Sequence, residues 1–207
     1  VHRLPIGPAL CISPWNAPTA IAAHKVASAL AAGCPTILKP SEWAPHTASL
    51  LARSIHESEL PAGTFQLLHG RGDVGARLTA DERIRAVSFT GGLVGGRAVA
   101  VACAEQMKPA QLELGGNNPL VILEDADVEQ AADGVVTALT RLNGQWCRAL
   151  GRILVHRSLE SKVLEAVGAR LGRPQLGHSL DPASEMGGAN IDPGKNTEVY
   201  VKRIRRD

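Results

Sequence analysis

Residues 9–40 read ALCISPWNAPTAIAAHKVASALAAGCPTILKP, and this stretch decides the fold. ALCIS and PTILKP are short apolar runs bounded by proline, each of strand length. Between them, TAIAAHKVASALAAG carries apolar residues at helical spacing, with Gly33 as its C-terminal stop. The rhythm of strand then helix continues through a helix from Pro45 to Glu59, the strand TFQLLHG, a short helix from Asp73, the strand IRAVSFTGG, a helix near Leu93 to Met107, and the strand AQLELGG. Five strands with intervening helices predict a parallel, doubly wound α/β sheet. A second region follows, with the strand PLVILEDAD, a helix from Asp127 to about Leu142, the strand RILVHRS and a helix from Leu159 to Leu171. The border between the two regions falls at Gly115-Gly116, giving domains 1–115 and 116–207. The closing KNTEVYVKRIRRD reads as a charged amphipathic segment.

Composition narrows the function classes. In 207 residues, 44% are apolar and 20% charged, enough for a real core in one large or two small domains. A net charge of +2 and an aromatic content of 3% argue against nucleic acid as a partner, since neither a basic field nor a stacking platform is present. The four cysteines, Cys11, Cys34, Cys103 and Cys147, form no CxxC pair or Cys/His metal spacing, so no metal is implied. Free thiols and the absence of a signal-peptide pattern predict a cytoplasmic protein. Lys25 interrupts the longest apolar run, which sets membrane insertion aside.

In an open parallel sheet, ligands bind at the carboxyl ends of the strands. Those ends carry PWN, KPSE, HGRGDVG, FTGG and ELGGNNP in order, and GQWC comes later in the chain. Six such motifs in this order resemble the aldehyde dehydrogenase superfamily, from about Pro5 to at least Arg157 and more weakly to Ile204. The resemblance implies a Rossmann-like nucleotide-binding domain followed by part of a catalytic domain, NAD-dependent oxidation of an aldehyde to a carboxylic acid, and a small-molecule aldehyde as the partner. A homo-oligomer is left open.

The literal GxGxxG at Gly70, Gly72 and Gly75 is read in two ways, as a dinucleotide fingerprint or as a set of tight turns, because it follows the third strand rather than the first. In the resembled family the pyrophosphate lies beside the helix after FTG. Thr90, Gly91 and Gly92 at that helix N-terminus expose backbone amides suited to phosphate. The family commonly has serine where this chain has Gly92. Lys39 and Glu42 of KPSE are either solvated turn charges or, as the resemblance implies, the groups that hold the ribose. A carboxylate there disfavours a 2′-phosphate, so NAD is expected over NADP. Trp15, Gly72 and Leu114 complete the implied cofactor contacts. Lys25 is either a surface charge or the equivalent of a family lysine that orients the active site.

A lone cysteine is commonly a buried apolar residue, and Cys11, Cys34 and Cys103 are read so. Cys147 differs in its GQxC setting, at an expected entry from loop to helix with Arg148 and Arg152 close in sequence. By resemblance it is the nucleophile, acting through a thiohemiacetal and a thioester. Asn16 is the implied oxyanion donor, although an Asx turn before Pro18 also accounts for it. Glu113 is the implied general base, although a strand-end glutamate is also an ordinary surface charge. A Cys/His hydrolase using His69 or His156 is the competing enzyme class, but it leaves the nucleotide-type loops unexplained. The chain also stops before the EIFGP-type motif of the family. The alternative is therefore a truncated, noncatalytic fragment or interaction module, and low turnover with weak dinucleotide binding is expected.

Overall fold

In the computed structural model, which describes residues 2, 4–172, 175–178 and 180–187, ALCIS forms strand β1 (Ala9–Ser13), and all five of its residues are buried. A strand covered on both faces has no solvent side, so its sequence is a continuous apolar run. The chain continues through α1 (Pro18–Ala31), β2 (Thr36–Pro40), α2 (Pro45–His56), β3 (Phe65–Leu67), α3 (Gly72–Ala80), β4 (Ala86–Gly91), α4 (Leu93–Glu105) and β5 (Ala110–Leu114). Pro18 and Pro45 start α1 and α2, where a missing amide hydrogen breaks no helical bond.

The five strands are all parallel in the order β3-β2-β1-β4-β5. Pairing moves outward from β1 to β3, then returns to the other side of β1 with β4. That reversal leaves a switch point between β1 and β4, where ligands enter such sheets. Alternate residues of β1 face two cores. Leu10 and Ile12 pack with Ile84, Val87, Val99 and Cys103, whereas Cys11 packs with Ala22, Val26, Leu38 and Ala48 of the opposite layer. Leu10 and Leu38 are wholly buried, each contributing about 1.5–3 kcal/mol.

The glycines after FTG set how closely α4 approaches the sheet. A Cβ on Gly96 would lie 2.5 Å from Leu114 Cδ2, and one on Gly95 would lie 3.0 Å from Phe89 Cζ. Side chains at these two positions would push the helix N-terminus off the strand ends.

The chain divides into two compact units, Val1–Gly115 and Gly116–Asp207. The second unit has a parallel pair, β6 (Asn118–Ile122) and β7 (Leu150–Val155), with α5 (Val128–Thr140) between them in sequence and α6 (Glu160–Leu171) after them. Asp127 caps α5 by accepting a hydrogen bond from the Gln130 amide at 2.8 Å. Ile122, Ala132, Val135, Val163 and Val167 form this unit's core.

Several expected boundaries move: the helix predicted to reach Glu59 ends at His56, and the one predicted to reach Met107 ends at Glu105. The helix predicted to run to about Leu142 ends at Thr140, and a 3-10 turn follows over Arg141–Gly144. Leu142, Asn143 and Gly144 have φ of 53°, 57° and 70°, left-handed values that end an α-helix. The predicted amphipathic segment at the C-terminus lies outside the described residues. Among the described residues, no helix is long and apolar enough to cross a membrane.

Candidate active site

The first unit gathers most of the predicted cofactor residues at the strand ends. Helix α4 begins directly after β4, with Gly92 at its N-cap and no side chain capping its amides. Its first turn also carries no acidic residue. A Cβ on Gly92 would meet nothing within 4 Å. Uncapped amides beside open space form a suitable phosphate cradle. Helix α3, which opens within GRGDVG, has Asp73 in its first turn, a charge that opposes an anion there. Within that motif, Gly70 leaves room for Val74, whose Cγ2 would be 2.5 Å from an added Cβ, while Gly72 faces open space.

Lys39 is buried, with 4% of its surface exposed, and its Nζ lies 3.8 Å from Glu42 Oε2. The solvated-turn reading therefore does not hold for Lys39. Its stem runs past α3, where a Cβ on Gly75 would lie 3.9 Å from Lys39 Cδ. Glu42 is exposed, as the ribose role requires of an acceptor. Thr90 is buried, Gly91 and Trp15 are half-buried, and the Leu114 side chain packs toward Gly96, leaving its main chain as the part that can face a ligand. Ser13, at the end of β1, has a buried hydroxyl oxygen with no hydrogen-bond partner, a polar atom the motif reading passed over. An uncapped helix start, a buried lysine beside an exposed carboxylate and this orphaned hydroxyl all fit a dinucleotide at the switch point.

Glu113 is exposed near the end of β5, in register with Thr90. On the same sheet face lies Lys25, which is 6% exposed and therefore not a surface charge. Its Nζ donates to Ser88 Oγ at 2.6 Å, and Ser88 Oγ donates to Gln111 Oε1 at 2.5 Å. Burial holds the Lys25 ammonium below the ordinary lysine value, while interactions with Cys11 and Glu113 oppose that shift. Burial also pushes the Cys11 thiol up to about 11, so this cysteine stays protonated at neutral pH. Asn16 is half-buried in the bend between β1 and α1.

The second unit holds the thiol. Cys147 is exposed, whereas Cys11, Cys34 and Cys103 are buried, as their structural reading requires. The expected loop-to-helix setting is corrected here: Cys147 occupies a turn that leads into strand β7. No helix begins directly after it, because pairing of β7 with β6 draws the following residues into a strand. The turn closes through the Ala149 amide to the Trp146 carbonyl at 2.9 Å. Asn118 holds it from outside, its Nδ2 donating to the Cys147 carbonyl at 2.9 Å and the Ala149 carbonyl at 3.0 Å. Asn118 was missed because its partners are main-chain atoms far along the chain; GGNNP offered only two adjacent asparagines. Its neighbour Asn117 crowds Gly151, where a Cβ would lie 1.7 Å from Asn117 Oδ1. Arg148 does not sit free near the thiol: its Cζ lies 4.5 Å from the Trp146 ring centroid, and Arg141 Cζ lies 5.3 Å from the same centroid.

The histidines of the competing hydrolase reading have other partners. His69 Nε2 is 3.0 Å from Ser49 Oγ, and His156 Nδ1 is 2.8 Å from Ser158 Oγ. Among the described residues, no group of three or more His, Cys, Asp or Glu could hold a metal ion.

A five-stranded parallel sheet in this order, with a glycine-started helix at its switch point, defines a Rossmann-like α/β protein. The aldehyde dehydrogenase family model matches residues 1–203, and the chain belongs to that family. It is 39% identical over 203 residues to succinate-semialdehyde dehydrogenase of Paenarthrobacter nicotinovorans, covering 97% of this chain and 45% of that relative. Betaine aldehyde dehydrogenase from Staphylococcus aureus, solved in complex with NAD+, superposes with a TM-score of 0.91 at 36% identity, over 96% of this chain and 40% of that one. An NADP-dependent enzyme of E. coli gives 0.85 at 35% identity, over 88% and 38%. The chain thus spans less than half the length of each.

Proposed function

We propose that this chain carries the nucleophile, oxyanion donor and general base for oxidation of an aldehyde to a carboxylic acid with NAD. The observation that carries the reading is the exposed Cys147 thiol, on a turn fixed by Asn118, in a chain matched to this family nearly end to end.

The Cys147 thiolate adds to the carbonyl carbon, forming a C–S bond and moving the carbonyl electron pair onto oxygen. The Asn16 amide and the Cys147 backbone N–H donate to that oxyanion, and one such side-chain donor contributes about 3 kcal/mol. NAD, when bound, would supply the acceptor for the hydride of the former carbonyl carbon, and Cys147 would then hold the acyl group as a thioester. Glu113 then removes a proton from water, the oxygen adds to the thioester, and the C–S bond breaks to release the acid and return the thiolate. The α4 amides would hold the pyrophosphate, with Lys39 and Glu42 on the ribose. Purified protein given NAD and a panel of short and aromatic aldehydes is expected to form NADH. Failure with every aldehyde would leave the chain a noncatalytic module of this family.

Two binding predictions follow from the cofactor residues. Gly92 has φ of −74° and open space at its Cβ, so serine fits there without strain. Gly92→Ser adds a hydroxyl donor toward phosphate and is expected to tighten NAD by about three- to tenfold in calorimetry. Unchanged or weaker binding would remove the α4 N-terminus from the phosphate site. The second concerns Glu42, whose carboxylate should hold NADP about tenfold weaker than NAD through like-charge repulsion. Glu42→Gln is expected to bring the two affinities close together, and equal affinities in the native protein would contradict the ribose assignment.

A further inference from the structure

We propose that Ser88 and Gln111 are positioning residues, which hold the Lys25 ammonium on the sheet face that carries Glu113 so that its charge attracts that carboxylate. The inference rests on the reading of Glu113 as the general base. It adds two residues that precede the FTGG and ELGG motifs and belong to neither.

Strand register places these residues together. Cys11 of β1 pairs with Ser88 of β4, and Ser88 with Gln111 of β5, so the three form one row across the sheet. Cys11 packs with Ala22 and Val26 of α1, which puts the row beneath that helix. Lys25 reaches it from α1: its Nζ donates to Ser88 Oγ at 2.6 Å, and Ser88 Oγ donates to Gln111 Oε1 at 2.5 Å. A hydroxyl has a single proton to give. Because Gln111 takes it, the Ser88 lone pairs are left for Lys25, an arrangement that suits an ammonium, which only donates. Glu113 follows Gln111 by two residues, so it lies on the same face, about 7 Å further along β5. Burial works against the charge on Lys25, and the interactions with Cys11 and Glu113 oppose that effect. Other ionisable groups on the surrounding elements point elsewhere. His24 of α1 and His46, Arg53 and His56 of α2 are exposed, and the Lys39 stem lies with Ile12 against Gly75 of α3, in the opposite layer. Packing alone does not explain the row, since a buried lysine gives up hydration that one hydroxyl replaces only in part.

Carbodiimide labelling of Glu113, read by peptide mass spectrometry, tests this without requiring turnover. The reagent needs a protonated carboxyl, so a carboxylate beside an ammonium reacts slowly. Glu113 is exposed to it, and the exposed Glu105 in the same sample serves as the internal standard. S88A and K25M are each expected to label Glu113 about three- to tenfold faster than the unaltered protein. In the K25M background S88A should add nothing, because Ser88 acts on Glu113 through the lysine. S88T keeps the hydroxyl and should label at the native rate. Q111M changes an exposed side chain, is expected to speed labelling in the same direction, and decides the matter if S88A does not fold. A native rate in the folded variants at positions 88 and 111, or a gain from S88A that persists alongside K25M, would overturn the proposal. The predicted labelling pattern without NADH from any aldehyde would instead remove the dehydrogenase reading and leave Ser88 and Gln111 as the holders of Lys25.

Discussion

Cys147→Ser is expected to lower NAD-dependent aldehyde oxidation by on the order of 10⁴ or more, because removal of a covalent nucleophile abolishes the step on which the others depend. Serine is a fair test of chemistry here. Asn118 grips the turn through the carbonyls of Cys147 and Ala149, and the turn closes between the main chains of Trp146 and Ala149, so these bonds hold the turn without the sulfur. The substituted turn therefore keeps its shape while its nucleophile becomes a hydroxyl that is far weaker without an adjacent base. Serine at Cys11 or Cys103 would act differently, through the buried cores those thiols fill. The check is single-turnover NADH formation together with a melting curve. A variant retaining a tenth or more of the native rate would exclude Cys147 as the nucleophile.

Glu113→Gln should separate the two halves of the reaction. Glutamine keeps the shape of the side chain and its register beside Thr90, but it has no basic oxygen pair with which to take a proton from water. Acylation of Cys147 should proceed, giving about one NADH per chain, and thioester hydrolysis should slow by about 10²- to 10³-fold. Rapid quenching should then show acyl-Cys147 accumulating. A variant in which the first NADH is lost as well, with the fold intact, would assign Glu113 to acylation instead. Undiminished steady turnover would return it to the ordinary strand-end charge that its exposure also allows.

The sheet was legible because burial on two faces leaves so clear a pattern. ALCIS coincides with β1, and AQLEL within AQLELGG with β5. Both units hold the predicted sequence of strands and helices. The region around the thiol was less legible. A left-handed leucine at position 142 has no sequence signal, and the strand after Cys147 depends on pairing with β6, distant in the chain. Lys25 and Lys39 were hard to place for a different reason. Lysine is seldom buried unless paired, and the partners that permit it here, Ser88 and Glu42, become apparent only when helix and sheet are packed. Asn118 is the largest omission from the site. An asparagine bonding two carbonyls 29 and 31 residues away looks like any loop asparagine until the turn is folded.

The central claim, that Cys147 forms a covalent intermediate during NAD-dependent aldehyde oxidation, is tested most directly by acid-quenching the protein with NAD and an aldehyde and weighing its peptides. Because the adduct is read per chain, the measurement does not depend on fast steady turnover. The account predicts an acyl group on the peptide bearing Cys147, formed only when NAD is present, accompanied by an equivalent of NADH and increased by Glu113→Gln. NADH formed equally by Cys147→Ser, or no adduct on Cys147 with any aldehyde in either protein, would contradict it.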